Sequence, residues 1–435
     1  MKNRVEKQVS ASKANRFTEL EGLRAIAAAI VVFYHAALIF YPGFFYGVGN
    51  SWAPVQNMRF EDNLYQHPLA GLMSGTFAVG IFFVLSGFVL SIGYFKKKDS
   101  SVISKLAAKR YLRLMVPAAA SVMIAWAVMT LGWSRSMNEV SAVTHSGWLS
   151  HLWNVSPDFF RALYQGTVAS FTAGEVYYNP VLWTISQEFI GSFLVFGVAL
   201  LFSSSKYRWV VYGVLLYVLS NGWLLGFITG MILADLYVHK EVVFKKLNSK
   251  WTYLLLLVGV VLGGFPSGEL SSPLYKLMEI PKFTLGQQLA FHITWGATFV
   301  VMSVLALPRL RNFMAHPMIS RFGKYTYSLY LIHMPVLFTV CTGTFLLALP
   351  IGFNKAAVIA VVATWAVLIP AVYLFERYVD APAIRLAGYS TDIFLGKKEL
   401  HARKKLLVVK RYVTKKMKSL NPRRTTEAMS EVEVE

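Results

Sequence analysis

Two histidines, three arginines and two carboxylates stand where so apolar a chain has little reason to carry them. The first apolar run opens as 21-EGLRAIAAAIVVFYH-35 and holds Glu21, Arg24 and His35. On a helix, the step from Arg24 to His35 is three turns plus about 20°, so both lie on one face, about 16 Å apart along the axis. Glu21 sits one turn before Arg24. An imidazole is suited to moving protons near neutral pH, and ionisable groups at lipid depth mark function by default. The plainer alternative is a snorkelling arginine and a histidine hydrogen-bonded between helices.

Further candidates lie on other segments. The stretch 181-VLWTISQEF-189 carries Trp183 and Glu188. Glu188 is predicted near the depth of His35, where a carboxylate would fix the imidazole tautomer and steady its charged form. Alternatively, it belongs to a polar first turn favoured by the helix dipole. In 322-FGKYTYSLYLIHMPV-336, Ser328, Tyr330 and His333 can line one side of a helix that Pro335 kinks. In 96-KKKDSSVISKLAAKRYLRLMVP-117, Arg110 and Arg113 are one turn apart and predicted at the membrane surface. Two guanidiniums so spaced suit phosphate; the plainer reading is orientation charge. In 82-FFVLSGFVL-90, Ser86 and Gly87 permit close approach of a helix or a ligand.

The elements that must position these residues follow from composition. Of 435 residues, 55% are hydrophobic and 15% charged, whereas a soluble domain is nearer 25% charged. Such a chain cannot hide its apolar side chains in one globule. The prediction is an all-α polytopic bundle of about ten transmembrane helices. The candidate spans are 22–41, 75–95, 115–131, 187–204, 207–219, 222–239, 251–265, 289–307, 325–348 and 354–376. The stretch 160–173, which carries Arg161 and Gly166, is left outside the membrane as an interfacial or re-entrant helix.

With the N-terminus in the cytoplasm, this alternation puts 37 of the 43 lysines and arginines inside and 6 outside. That is a strong positive-inside pattern with both termini cytoplasmic. The net charge of +21 is therefore an orientation device, reinforced by attraction of tail lysines such as Lys404 and Lys405 to anionic headgroups. It requires no nucleic acid. The predicted organisation is a basic cytoplasmic N-terminus (1–20), one membrane domain (21–380) and a basic tail (381–435), partly disordered. The first run is too long, and too polar at Arg24 and His35, for a cleaved signal.

Cys341 is the single cysteine, so neither a disulfide nor a cysteine-based zinc site is available. The chain shows no P-loop, no GxSxG elbow, no HExxH and no His-x4-Asp. No metal is expected. Any chemistry must then use a histidine without a serine triad.

These elements together resemble the membrane acyltransferase-3 family. The resemblance rests on Arg, ten residues and His at 24–35; 82-FFVLSGF-88; 110-RYLR-113; 182-LWTISQEF-189; and 326-TYSLYLIHMP-335. Each is weak alone, but five in order over about residues 17–380 are specific. Gln187 before the glutamate and the long basic tail depart from the family pattern.

The resemblance implies an integral-membrane O-acyltransferase. It would move an acyl group, chiefly acetyl, from acyl-coenzyme A to a hydroxyl of a carbohydrate or small molecule. His35 would be the catalytic base, with Glu188 and Arg24 in the same machinery. Arg110, Arg113 and Lys324 would meet the donor's phosphates, and its pantetheine arm would pass Ser86. Glu21, Trp183, Ser328, Tyr330 and His333 would line the site. The acceptor would enter from the outer side, under the loops 42–74 and 132–186; loops this long are usually functional. Ten spans with buried His, Glu and Arg also suit a proton-coupled transporter, and a non-catalytic scaffold is a third reading.

Overall fold

The computed structural model describes residues 17–58, 60–239 and 250–394. The basic N-terminal stretch and the tail beyond residue 394 lie outside the described residues. Among those described, the chain is helical throughout, with a single isolated bridge, Asn50 to Ala53, as its extended pairing.

Seven helices are long and apolar enough to cross a membrane, by length and composition. They are α1 (Thr18–Phe40), α2 (Gly75–Lys97), α3 (Ser100–Thr130), α4 (Pro180–Phe202), α8 (Leu285–Ala306), α9 (Pro317–Ile351) and α10 (Phe353–Thr391). Three shorter apolar helices complete the bundle: α5 (Arg208–Val218), α6 (Leu225–His239) and α7 (Lys250–Gly263). The sequence-based count of about ten spans therefore holds seven of full length. At 1.5 Å per residue, α5 falls well below a 30 Å hydrocarbon core, and α6 and α7 border the undescribed residues 240–249.

Helix α2 is the centre. Gly75, Phe77, Phe83, Val84, Gly87 and Phe88 are all buried, and glycines let the backbones close in. A Cβ on Gly87 would lie 2.1 Å from the Phe227 carbonyl oxygen of α6, and one on Gly230 of α6 would lie 2.0 Å from that of Val84. Where no water drives association, such small-residue seams let helices pack closely. The outward rows fit a lipid surroundings: Val210, Val214 and Tyr217 on α5, and Val358, Val362 and Ile369 on α10, are exposed.

Short α5 is pinned to α6 by a buried carboxylate. Asp235 accepts from Arg208 Nε at 2.9 Å and from the Tyr212 hydroxyl at 3.1 Å, and pairs with His239 Nδ1 at 2.6 Å.

Several boundaries move. The segment bearing Arg110 and Arg113, read as a loop, lies in the first half of α3. Its start is fixed by Asp99, whose carboxylate accepts from Ser101 N at 2.8 Å and Ser101 Oγ at 2.7 Å. An N-cap of this kind satisfies an orphan amide. The same Ser101 bonds, hydroxyl first, hold the Asp99 carboxyl below its usual range.

Helix α10 runs past residue 376 through a π turn, Glu376–Asp380, to Phe394, so the stretch read as the start of the tail is helical. The stretch left outside the membrane, 160–173, is also helical, over 159–172. It packs on α3: a Cβ on its Gly166 would sit 2.7 Å from Ala119 Cα.

Candidate active site

Helices α1 and α9 bring the two deep histidines together. His35 Nδ1 and His333 Nε2 are 3.1 Å apart, with ring centroids separated by 5.1 Å. His333 is fully buried, and its Nδ1 lies 3.1 Å from the Leu329 carbonyl oxygen one turn back. His35 is only half-buried and keeps accessible surface in the upper third of α1.

The position of His333 depends on a kink. Pro335 has no N–H to offer the Leu331 carbonyl, the partner its place in a helix would give it. Asn179, at the entry to α4, supplies the missing donor: its Nδ2 lies 2.9 Å from the Leu331 oxygen and 3.0 Å from Ser121 Oγ. The Tyr330 hydroxyl ties the same two elements, donating to the Val181 carbonyl at 3.2 Å and sharing a 3.0 Å bond with Thr184 Oγ1.

Asn179→Leu removes the donor and strands a buried carbonyl, which costs about 1–3 kcal/mol. The expected outcome is a lower melting temperature, with activity falling as His333 loses its support. An unchanged melting temperature would show that the carbonyl is satisfied otherwise.

Above His35 lies Trp148, 5.4 Å away ring to ring and nearly parallel at 24°. Trp148 belongs to the short helix Gly147–Ser150, in the long loop before α4. The loop is anchored there. Ser146 Oγ donates to the Leu38 carbonyl at 2.7 Å, and Gly147 N donates to that of Trp52 at 3.0 Å. Gly147 is required for this contact, because a Cβ on it would lie 2.1 Å from the Ser51 carbonyl oxygen.

A second polar group sits lower in the bundle. Glu188 of α4 forms an ion pair with Arg110 Nη2 and accepts from Ser86 Oγ at 2.8 Å. Arg110 Nε also donates to Ser192 Oγ at 2.7 Å. Arg24 is 3.7 Å from Glu21, and the charges acting on it include Glu188, Arg113 and Arg110. Between Arg24 and His35, Ala28, Val31 and Val32 are buried, so the polar stripe read from α1 is two separate groups. Tyr330 lies between them. It is 5.9 Å from the His333 ring and 6.1 Å from Phe82, and it feels the charge of Glu188.

Three expectations are corrected. Glu188 does not face His35: its partners are Arg110 and Ser86, and the ring beside His35 is His333. Arg110 is not a free surface cation. Its side chain is only 11% exposed and is spent on Glu188. Trp183 packs against Phe83 and Trp223, with no ring contact to either histidine.

Other candidates are placed without a partner in the site. Ser328 Oγ is buried with no hydrogen bond. Lys324 is half exposed, 3.8 Å from Glu376 and over the Tyr325 ring. Arg113 lies near enough to Asp380 and Tyr327 to act on both. An open depression lined by Glu376, Arg377, Tyr378 and Arg385 includes neither histidine. Among the described residues, no group of three His, Cys, Asp or Glu could hold a metal.

Sequence reasoning missed Trp148, Asn179 and Ser192. The tryptophans of the long loop were the signal for the first. For the second, the signal was the carbonyl that Pro335 must leave free.

Residues 17–376 match the acyltransferase domain that defines acyltransferase-3. The chain belongs to the acyltransferase-3 family. The match spans all five sequence elements and both polar groups. Among curated relatives, the chain is similar to the O-acetyltransferase PaAT-1 of Phomopsis amygdali. The two are 25% identical over 434 residues, an alignment covering 87% of this chain and 85% of that protein. No solved structure matches. This acyltransferase-3 member is an acyltransferase, and the transporter and scaffold readings give way to that.

Proposed function

We propose that this protein transfers an acetyl or other short acyl group from cytoplasmic acyl-coenzyme A to a hydroxyl of a carbohydrate or small molecule. The acceptor reaches His35 from the outer side of the membrane. The observation that carries the reading is the state of His35. Its ring is held at Nδ1 by His333 and stacked on Trp148, and the residue is only partly buried where His333 is fully so. A histidine serving only as a helix-to-helix bridge would be closed in on every side.

In this reading the acceptor slides beside Trp148 and presents its hydroxyl to His35. His35 takes the hydroxyl proton as the oxygen attacks the thioester carbonyl. The carbon–sulfur bond breaks, the acyl ester forms, and the proton passes from the imidazole to the leaving thiolate. The products are ester and free coenzyme A, and His35 is restored. The tetrahedral oxyanion needs a donor. The Tyr330 hydroxyl, one turn from His333, would serve by turning its hydrogen from the Val181 carbonyl to the oxyanion.

The thioester arrives from the other side. The lower polar group is nearly balanced in charge, with Arg110 matched to Glu188 and Arg24 to Glu21. Charges so matched suit the neutral pantetheine arm better than phosphate. The donor's phosphates then fall to cations nearer the surface, the half-exposed Lys324 among them.

The orientation is supported by the lysine and arginine asymmetry of the loops. Sealed vesicles of defined sidedness test it. Labelled acetyl-coenzyme A supplied at the cytoplasmic face is expected to label an acceptor on the opposite side. Labelling only when the donor is added to the outer face would reverse the assignment.

A further inference from the structure

The histidine pair has a proton inventory that can be read from its partners. A backbone carbonyl only accepts, so His333 Nδ1, 3.1 Å from the Leu329 oxygen, carries a hydrogen. A neutral imidazole has one N–H, which leaves His333 Nε2 as a lone pair. That lone pair is 3.1 Å from His35 Nδ1, so His35 must donate from Nδ1. His35 Nε2 is then the nitrogen with a free lone pair, on a residue that is only partly buried.

We infer that His333 is a positioning residue of the reaction: it selects the tautomer of His35 that leaves Nε2 free to accept a proton, and it shares the charge of the imidazolium. The inference rests on the proposed role of His35 as base. It assigns to a second imidazole the part that a carboxylate plays behind the histidine of a serine triad. The reason is environmental. Glu188, the carboxylate that could have served, is held by Arg110 and Ser86 in the lower polar group.

When Nε2 takes the hydroxyl proton, His35 carries two N–H groups. The Nδ1 hydrogen stays in the bond to His333 Nε2, which can share it because its own hydrogen points to Leu329. When the thiolate takes the Nε2 proton, both rings return to their starting tautomers. His333 gains and loses no proton over the cycle, so it needs no route to solvent. Its complete burial agrees with that role.

The test compares two variants of similar bulk in purified, lipid-reconstituted protein. In His333→Gln the side-chain carbonyl can still accept from His35 Nδ1; in His333→Leu nothing can. The expected result is a kcat for His333→Leu at least about a hundredfold below wild type, in line with loss of an oriented base. His333→Gln should retain at least about a tenth of wild-type kcat. The KM for donor and acceptor should change little in both. Nitrogen-15 spectra of histidine-labelled protein provide a second readout: the free Nε2 of His35 should give an unprotonated-nitrogen signal in wild type and mixed tautomers in His333→Leu.

Equal losses in the two variants, or a tautomer unchanged in His333→Leu, would make His333 a packing residue and overturn the inference. Full activity in His333→Leu would do the same. Failure of the underlying reading is separate, because it appears as activity in His35→Ala.

Discussion

His35→Ala is expected to express, fold and bind donor like the wild type while losing acyl transfer by at least about a hundredfold. General acid–base catalysis contributes about 10²–10⁴-fold, and no second base is placed to replace it. His333 is too deeply buried to meet a substrate, and its one lone pair already points at His35. Truncating His35 removes a half-buried ring, so the packing loss is small beside the chemical one. Initial rates of ester formation measure it, with the melting temperature as control. A variant within about threefold of wild type would take His35 out of the chemistry.

The second large effect is on stability. Arg110 and Glu188 are 11% and 18% exposed, and the pair is joined to Ser86 and Ser192. Breaking a buried ion pair by removing one partner costs about 3–5 kcal/mol, because the other charge is left unpaired. Glu188→Leu is expected to be the worse single change, since a guanidinium cannot shed its charge whereas a lone carboxylate can take up a proton. The double variant Arg110→Met with Glu188→Leu should recover much of the loss, because replacing both charges by apolar groups is often neutral or stabilising. Denaturation of the four proteins in one lipid or detergent system closes the cycle. Additive losses would mean the pair is not coupled.

Activity separates this from a catalytic role. If Glu188 is structural, the double variant regains activity along with stability. A carboxylate assisting His35 would leave it inactive.

The residues that do the chemistry were more legible than their partners. The step from Arg24 to His35 and the run ending at His333 are visible in the sequence because polar groups in apolar helices stand out, and helical geometry fixes the face on which each lies. What spacing within one helix cannot fix is which face of another helix it meets. Glu188 and His333 were both plausible neighbours of His35, and the choice depended on Arg110. Read as surface charge, Arg110 instead lies well inside α3, because the helix begins at Asp99 rather than near residue 115.

Span ends are less legible for a related reason. Hydropathy registers apolar content, so α5 and α6 read as adjoining spans, while turns around Ser220 and Gly264 set the end of α5, the start of α6 and the end of α7. Trp148 reaches His35 through a loop whose path is set by Ser146, Gly147 and Asn57. Asn57 donates to the carbonyl of Phe40 at 2.9 Å and also to that of Thr144, contacts no periodicity encodes.

The claim on which the rest depends is that the imidazole of His35 passes the acceptor's proton to the departing thiolate. The most direct measurement is the release of free coenzyme A thiol by purified protein, followed together with acylated acceptor, in wild type and His35→Ala. The account predicts one thiol per ester in the wild type, dependent on acceptor, and almost none of either in His35→Ala. Thiol release that continues undiminished in His35→Ala would contradict it.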